Sequence, residues 1–127
     1  MLAIGLAFTS PDVVLLALGT NDVISFRDPP EVAVDALLAL RGRAGAADID
    51  TFIATIPPIY TSLKENDEVN RSIDRANAML AERVPADRLI DFHSNMTQED
   101  FDSDGIHINQ SGQEKRATAV ERALANR

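Results

Sequence analysis

An unbroken apolar run near the amino end constrains the fold more than any other feature of the sequence. Six apolar residues occupy positions 13–18 (Val-Val-Leu-Leu-Ala-Leu), and Gly19 follows them directly. Such a run, closed by a glycine, is typical of a strand that is buried on both faces of a parallel sheet. We therefore expect a sheet that carries helices on both of its faces.

Strand and helix patterns alternate along the rest of the chain. A second strand is predicted at residues 51–56, where two prolines end it, and a short third strand at residues 88–91. Between them, apolar residues at helical spacing predict a helix over about 67–83. Alternation of this kind indicates a parallel α/β sheet, for which three strands are few. We expect residues 1–127 to form one partial α/β domain.

Capping patterns predict where two further helices begin. Asp28, two prolines and Glu31 predict the start of a helix that fades near residues 42–45. Residues 111–114 (Ser-Gly-Gln-Glu) predict a capping box at the start of the last helix. The apolar stripe of that helix is predicted at Ala117, Val120 and Leu124.

Composition excludes several classes of function. The formal net charge is −8 and the twelve Lys and Arg residues are scattered, so we expect no nucleic-acid partner. The chain has no cysteine, which excludes disulfides, zinc-thiolate sites and a Cys nucleophile, but leaves a cytoplasmic or a secreted location open. No apolar run approaches the length of a membrane-spanning helix. The apolar residues 1–8 lack the basic segment of a signal peptide and are predicted to end a helix before the first strand.

Two short motifs lie where an α/β sheet binds its ligands, after the carboxyl ends of strands. Gly19 and Asn21 follow the first strand, where a glycine lets the backbone approach a ligand and an Asn amide can donate to an oxyanion. Asp104 stands three residues before His107 in the loop after the third strand. A carboxylate so placed can accept from Nδ1 of the histidine and leave Nε2 free as a general base.

Each motif also has a purely structural interpretation. A polar turn after a strand accounts for Gly19 and Asn21, and Asp-Gly is a common turn pair. Asp22 is interpreted as a structural acceptor for loop amides, and the acidic run before Asp104 as a solvated loop. His93 and Asp91 supply only two metal ligands, so we interpret His93 as a hydrogen-bonded surface residue and expect no metal site.

Taken together and in this order, the motifs resemble those of the SGNH hydrolases, also called GDSL esterases. Residues 11–22 (Pro-Asp-Val-Val-Leu-Leu-Ala-Leu-Gly-Thr-Asn-Asp) are similar to that family's third conserved block, and Asp104-Gly-Ile-His107 to its fifth. Residues 55–58 and 109–112 also resemble family phrases, although Ile108 stands where proline is common. The joint order of the two catalytic blocks makes the resemblance specific.

The resemblance implies a fold and a reaction. The fold is a flavodoxin-like α/β/α sandwich with a parallel sheet of five strands, of which this chain supplies the last three. The reaction is hydrolysis of a carboxylic ester, on a small molecule or an acylated carbohydrate, through an acyl-enzyme and without a cofactor. Asp104 and His107 would complete the catalytic triad, and Gly19 and Asn21 would donate to the oxyanion.

The family's serine block is the main departure. Residues 2–9 echo it faintly, but Leu6 and Ala7 occupy the places of its Asp and Ser. No other serine fits the role: Ser10 lies about 23 Å from Asn21 along the first strand. Three more serines lie nearer the correct edge but not on a strand-to-helix elbow, namely Ser25, Ser94 and Ser103.

Two hypotheses therefore remain open. In the first, the chain is the C-terminal portion of a working esterase whose serine lies upstream. In the second, it is a non-catalytic binding or interaction module on the same scaffold. If earlier strands are absent, residues 13–18 form an uncharged edge strand, and we expect the chain to self-associate through it.

Overall fold

The structure, a computed structural model, describes residues 11–21 and 29–127. Three strands form a parallel sheet in the order β1-β2-β3. The strands are β1 (Val13–Leu16), β2 (Asp50–Ala54) and β3 (Leu89–Ile90). The helices are α1 (Pro30–Ala46), α2 (Asn66–Arg83) and α3 (Gln110–Ala125). The predicted α/β class and parallel sheet are confirmed. Within the described ranges, no helix is long and apolar enough to cross a membrane.

The register brings the carboxyl ends of the strands to one edge. Leu16 lies opposite Ile53 in the first pair of strands, and Ala54 lies opposite Ile90 in the second. Because all three strands are parallel, the segments that follow them leave the sheet at that same edge. The two sequence motifs and the turn after β3 therefore share one rim of the sheet.

The side chains of β2 alternate between two apolar cores, as expected for a strand covered on both faces. Ile53 packs on one face with buried residues of α1 and α2, namely Val34, Leu37, Ile73, Ala76 and Leu80. Phe52 and Ala54 pack on the other face with Ile90 and Phe92, and α3 covers them with Ala119, Val120 and Ala123. The layers are thus helix, sheet and helix.

Strand β1 is shorter and less buried than predicted. It ends at Leu16 instead of residue 18, and Leu18 is 54% exposed. Only Leu16 of its four residues is fully buried. The prediction of burial on both faces was wrong for the start of the strand. Within the described residues β1 stands at the edge of the sheet and pairs only with β2, so less of the fold covers it.

Helix α1 begins close to its predicted start. Pro29 is the residue before the first turn and Pro30 opens the helix, as its fixed φ favours. The predicted cap, Asp28, lies outside the described residues, as do residues 1–8, for which a helix was predicted. Helix α1 continues to Ala46, slightly past the predicted end.

The predicted capping box of α3 was wrong. The cap is Asn109, whose side-chain oxygen accepts the backbone N–H of Gly112 at 3.2 Å. Asn caps as well as Ser does, and it stands two residues earlier, so the helix begins at Gln110. The hydroxyl of Ser111 instead donates to Asp100 at 2.6 Å.

The apolar stripe of α3 also differs from the prediction. Ala117 and Leu124 are exposed, and only Val120 of the predicted stripe packs on the sheet. The contact is made by Ala119, Val120 and Ala123, and Ala119 and Ala123 lie four residues apart, each one residue before a predicted position. The helix is therefore rotated relative to the prediction.

Candidate active site

The Asp104 and His107 side chains are hydrogen-bonded to each other. His107 Nδ1 contacts Asp104 Oδ2. The other carboxylate oxygen, Oδ1, accepts the backbone N–H groups of Ile106 at 2.8 Å and His107 at 2.9 Å. Asp104 is thereby fixed at both oxygens, and it fixes the ring in turn. No described residue bonds to Nε2 of His107, and the side chain is 78% exposed.

This contact shifts the pKa of both groups. The hydrogen bond from His107, together with the two backbone N–H groups, lowers the pKa of Asp104 to about 2. The hydrogen bond and the charge of Asp104 raise the pKa of His107 above its ordinary value. An imidazole that gains basicity from a neighbouring carboxylate is suited to accept a proton.

A tight turn fastens the Asp104–His107 loop to the segment after β2. Gly105 has φ 70°, and a Cβ there would lie 2.1 Å from the carbonyl oxygen of Tyr60. The Tyr60 N–H donates to the Gly105 carbonyl at 2.8 Å. The Tyr60 ring also meets Phe101 edge-on at 5.2 Å. Glycine is therefore required at position 105 both for its backbone angle and for the close approach.

A buried carboxylate that sequence reasoning missed anchors the base of this loop. Asp100 is only 3% exposed, although the acidic run was predicted to be solvated. Its carboxylate contacts Lys115 Nζ at 2.6 Å, Ser111 Oγ at 2.6 Å and the Thr97 N–H at 2.9 Å. These contacts, Lys115 first, hold the pKa of Asp100 far below its ordinary value. The signal in the sequence was Thr97-x-x-Asp100, a capping pattern.

The Gly19 motif lies at the end of β1, as predicted. Gly19 has φ 119°, a conformation that favours glycine, and a Cβ there would lie 2.9 Å from Ile56 Cδ1. Thr20 and Asn21 have helical backbone. Asp22 lies outside the described residues. The glycine thus lets β1 turn sharply against the segment after β2 and carries Asn21 to the rim of the sheet.

Asn21 and His107 line one cleft of about 320 Å³. The cleft is walled by the apolar side chains of Pro57, Pro58, Ile106 and Ile108, and its polar lining includes Thr20, Gln113 and Arg116. The structure thus brings together the side chains of the two motifs that the sequence placed at one sheet edge. Gly19 precedes the lining residues in the chain without lining the cleft itself.

The other histidine lies in a separate cleft of about 380 Å³ with Asp74 and Ser94. His93 Nε2 contacts Asp74 Oδ1 at 3.2 Å. Asp91 Oδ1 accepts from the backbone N–H groups of His93 at 2.8 Å and Ser94 at 3.0 Å. Burial opposes ionisation of Asp91, but the hydrogen bonds from Ser94 and His93 outweigh it and lower the pKa. Residues 11–21 and 29–127 contain no group of three His, Asp or Glu side chains that could hold a metal.

Two asparagines of α2 hold the segment that walls the cleft, and sequence reasoning missed them too. Asn77 accepts the Ile56 N–H at 2.7 Å and donates to its carbonyl at 2.9 Å. Asn70 binds Ile59 in the same way, at 3.0 and 2.8 Å. Both asparagines share the helix face of buried Ile73, and a polar residue on an apolar face signals such pairing.

Neither described candidate for the nucleophile stands by His107. Ser94 lines the cleft of His93, and Ser103 is exposed in the turn before Asp104. Ser10 and Ser25 lie outside the described residues. No hydroxyl that the sequence offered as a nucleophile is therefore placed against the histidine by the described part of the chain.

A parallel α/β/α sheet with polar motifs gathered at its carboxyl edge defines the class of α/β proteins that bind ligands at this edge. The particular family follows from sequence. The chain belongs to the GDSL-like lipase/acylhydrolase family, which matches residues 5–115. The resemblance read from the two motifs is thereby confirmed. No protein among those with curated functions matches the chain.

Solved structures of esterases share the fold. A family 3 carbohydrate esterase from Talaromyces cellulolyticus superposes with a TM-score of 0.83 at 20% identity, over 98% of this chain and 62% of that one. A GDSL-like lipase from Bacteroides thetaiotaomicron gives 0.79 at 17% identity, over 98% and 69%. A catalytic mutant of an acetylxylan esterase from Geobacillus stearothermophilus gives 0.69 at 16% identity, over 97% and 65%. The chain thus spans less than two thirds of the first and third of these esterases.

Proposed function

We propose that this chain supplies the base, its orienting carboxylate and the oxyanion donors of a serine esterase that hydrolyses carboxylic esters through an acyl-enzyme. The observation that carries the proposal is the cleft that His107 shares with Asn21, with Asp104 bound to the far side of the imidazole ring. Membership of a lipase and acylhydrolase family supports the reaction class. The nucleophilic serine is assigned to a segment outside these 127 residues.

Each residue has one role in the reaction. The serine hydroxyl attacks the ester carbonyl while Nε2 of His107 takes its proton. Asp104 keeps the ring in the tautomer that accepts at Nε2 and stabilises the imidazolium. The Asn21 amide, which lines the cleft, donates to the oxyanion, and the backbone N–H of Gly19, two residues earlier, is proposed as the second donor. His107 then returns the proton to the leaving alcohol, and water releases the acid by the reverse sequence.

The proposed substrate is an ester of a small molecule or an acylated carbohydrate. Two of the structural neighbours are a carbohydrate esterase and an acetylxylan esterase, which supports an acylated sugar. The cleft combines apolar walls with a few amide and hydroxyl groups. A site of this composition suits a short acyl group on a polar alcohol.

The second candidate is a non-catalytic binding module on the same scaffold. It accounts equally well for one observation, that neither Ser94 nor Ser103 lies in the cleft of His107. The coding sequence upstream of Met1 separates the two candidates. An in-frame turn of the Gly-Asp-Ser type supports the esterase, and its absence supports the binding module.

The activity test uses the extended chain, meaning these 127 residues together with the upstream segment that carries the proposed serine. We expect it to hydrolyse p-nitrophenyl acetate, and His107→Ala to lower kcat/KM by at least about a thousandfold. His93→Ala is the matched control and should change kcat/KM by less than about threefold, because that ring lies in the other cleft. Equal losses in the two variants would contradict the assignment of the base. The 127-residue chain alone should hydrolyse the ester no faster than its own His107→Ala variant.

We also propose that the 127-residue chain self-associates through β1. Within the described residues no strand pairs with the outer edge of β1, and the strand carries no charge to protect that edge. Sedimentation velocity across micromolar concentrations should give a species heavier than the 13.8 kDa monomer. A sharp monomer peak with cooperative thermal unfolding would contradict this proposal and support a self-sufficient domain.

A further inference from the structure

Arg116 is a cation in the cleft that the proposed reaction does not use. It lies on α3, on the helix face that carries the apolar contacts to the sheet, and it lines the cleft together with Asn21 and His107. Its guanidinium carbon lies 5.0 Å from the centre of the Phe92 ring. The side chain thus contacts an aromatic ring of the apolar core while it lines the proposed active site.

The Nε atom of Arg116 is buried and has no hydrogen-bond partner among the described residues. Burial lowers the pKa of the guanidinium, and no described carboxylate approaches it to compensate. A buried donor without a partner is costly, and such groups are rare in folded proteins. The guanidinium therefore retains hydrogen-bonding capacity that the described chain does not satisfy.

Another arginine of the same protein shows which acceptor fits. Arg88 also lies 5.0 Å from a phenylalanine ring, that of Phe52 in the same core. Its Nε, however, donates to the carboxylate of Asp50 at 2.7 Å. The two arginines share the stacking geometry and differ in the carboxylate. Arg88 thus shows that an arginine placed over a phenylalanine ring of this core pairs with a carboxylate.

The charge of the cleft favours the same ligand. The chain carries a net charge of −8, yet no Asp or Glu is among the described residues that line this cleft. Its ionisable lining groups are His107 and Arg116, and its remaining polar groups are the amides of Asn21 and Gln113 and the hydroxyl of Thr20. Donors and positive charge thus converge on the cleft, while the surrounding acids remain outside it.

We infer that Arg116 binds a carboxylate in the cleft beside His107 through its guanidinium group. The inference rests on the proposed function, and it narrows the ligand to an acid. That acid is either a second carboxyl group carried by the ester substrate or the acid that hydrolysis releases. A planar guanidinium held against an aromatic ring suits this planar anion.

The test is binding to the ¹⁵N-labelled 127-residue chain, followed at the Nε–Hε resonance of Arg116. Three probes are titrated, namely monomethyl succinate, acetate and dimethyl succinate. We expect the two anions to shift the resonance and the neutral diester to leave it in place at the same concentration. A tighter Kd for monomethyl succinate than for acetate would identify a carboxyl group on the substrate. Equal values would identify the released acid.

Variants test whether the anions bind at Arg116 or at other positive charges on the surface. Arg116→Gln should weaken binding of the anions by about tenfold or more, since a charge-assisted hydrogen bond is lost. Arg122→Gln, on an exposed position of the same helix, is the matched control and should change the Kd by less than about twofold. His107→Asn removes a neighbouring positive charge and should weaken binding of the anions less than Arg116→Gln does.

Several outcomes would overturn the inference: a shift by dimethyl succinate equal to that by the anions, equal losses in the two arginine variants, or a larger loss of binding in His107→Asn than in Arg116→Gln. The comparison of charged and neutral probes needs no variant, so it holds even if Arg116→Gln unfolds the chain. Binding is measured without turnover. Failure of the carboxylate site therefore leaves the esterase proposal standing, and failure of hydrolysis leaves the carboxylate site standing.

Discussion

The two histidines of the chain lie at the same edge of the sheet, and each is paired with an aspartate, yet their surroundings differ. His93 follows β3 directly and contacts Asp74 of α2 through Nε2. His107 contacts Asp104 of its own loop through Nδ1, which leaves Nε2 without a partner in the described chain. Only His107 shares its cleft with Asn21.

The difference shows that an Asp–His pair alone does not indicate a catalytic base. What matters is which ring nitrogen the carboxylate occupies and what the free nitrogen faces. In the Asp104–His107 pair the carboxylate contacts Nδ1, so Nε2 faces the cleft without a described partner. In the Asp74–His93 pair the carboxylate contacts Nε2 instead. The predictions below test this contrast, starting with the loop that holds His107.

Gly105→Ala should have the largest effect. A Cβ at this position would lie 2.1 Å from the carbonyl oxygen of Tyr60, and the backbone has φ 70°, so the Asp104–His107 loop must move. We expect a loss of between about 2 and 4 kcal/mol in the free energy of unfolding. In the extended chain, ester hydrolysis should fall with it. Urea denaturation followed by circular dichroism measures the loss.

Gly42→Ala is the matched control for that prediction. Gly42 lies within α1 and a Cβ there meets no atom within 4 Å, so alanine should stabilise the chain by about 0.5–1 kcal/mol. Opposite signs for the two substitutions are expected. If Gly105→Ala were as harmless as Gly42→Ala, the docking of the loop on Tyr60 would not be what holds His107 in place.

Asp100→Asn should come second. The change leaves Lys115 without its buried counter-charge and weakens the contacts to Ser111 and Thr97. Because Lys115 is 37% exposed and regains water, we expect a loss of about 2–3 kcal/mol, below that of a fully buried pair. Asp102→Asn is the control, since that carboxylate is exposed in the same loop, and it should cost less than about 0.5 kcal/mol. Thermal unfolding at pH 7 compares them; similar values would contradict an anchoring role for Asp100.

Much of the fold could be predicted from the sequence because its signals are local and repeated. Apolar runs, prolines and helical spacing placed all three strands and α2 to within a few residues. The errors occurred where a choice depends on tertiary contacts. Asn109 and Ser111 are both good caps, and only the packing of α3 on the sheet decides between them. Likewise, the low burial of Val13 and Val14 depends on the position of β1 at the sheet edge.

The residues of the site also fall into two groups, those predictable from local spacing and those whose role depends on tertiary contacts. Asp104 and His107 could be predicted because three residues of spacing are enough to bring them together. Only its spacing from Thr97 distinguishes Asp100 from its acidic neighbours, and its burial depends on Lys115, fifteen positions away. From the sequence alone, Arg116 would be assigned to the exposed surface of a helix. The packing of α3 instead places it against Phe92. Long-range partners of charged residues are thus the part that the sequence leaves open.

The smallest effect is expected from Asp104→Asn, and it tests the electrostatic half of the contrast. The neutral amide cannot stabilise the imidazolium, so the pKa of His107 should fall toward its ordinary value of 6.5. A titration of the histidine Cε1–Hε1 resonances measures this directly. Asp74→Asn removes the partner of His93 and should leave the titration of His107 in place. Equal shifts of the His107 curve in both variants would show that it reports the net charge of the surface instead of the Asp104 contact.

The same substitution should alter how stability depends on pH, and the sign follows from the two shifts. The lowered pKa of Asp104 stabilises the fold above 3.8, and that contribution is lost as the pH falls through about 2. The raised pKa of His107 stabilises the fold below 6.5, and that contribution is lost as the pH rises through the folded value.

Both contributions describe one interaction, which is complete only while both groups are charged. The advantage of the wild-type chain over Asp104→Asn should therefore be greatest between about pH 4 and 6.5 and shrink on either side. Both side chains are exposed, so the difference will be small and weaker still in high salt. A difference that stayed constant from pH 3 to pH 9 would mean that Asp104 acts on the fold through the backbone N–H groups of Ile106 and His107 alone.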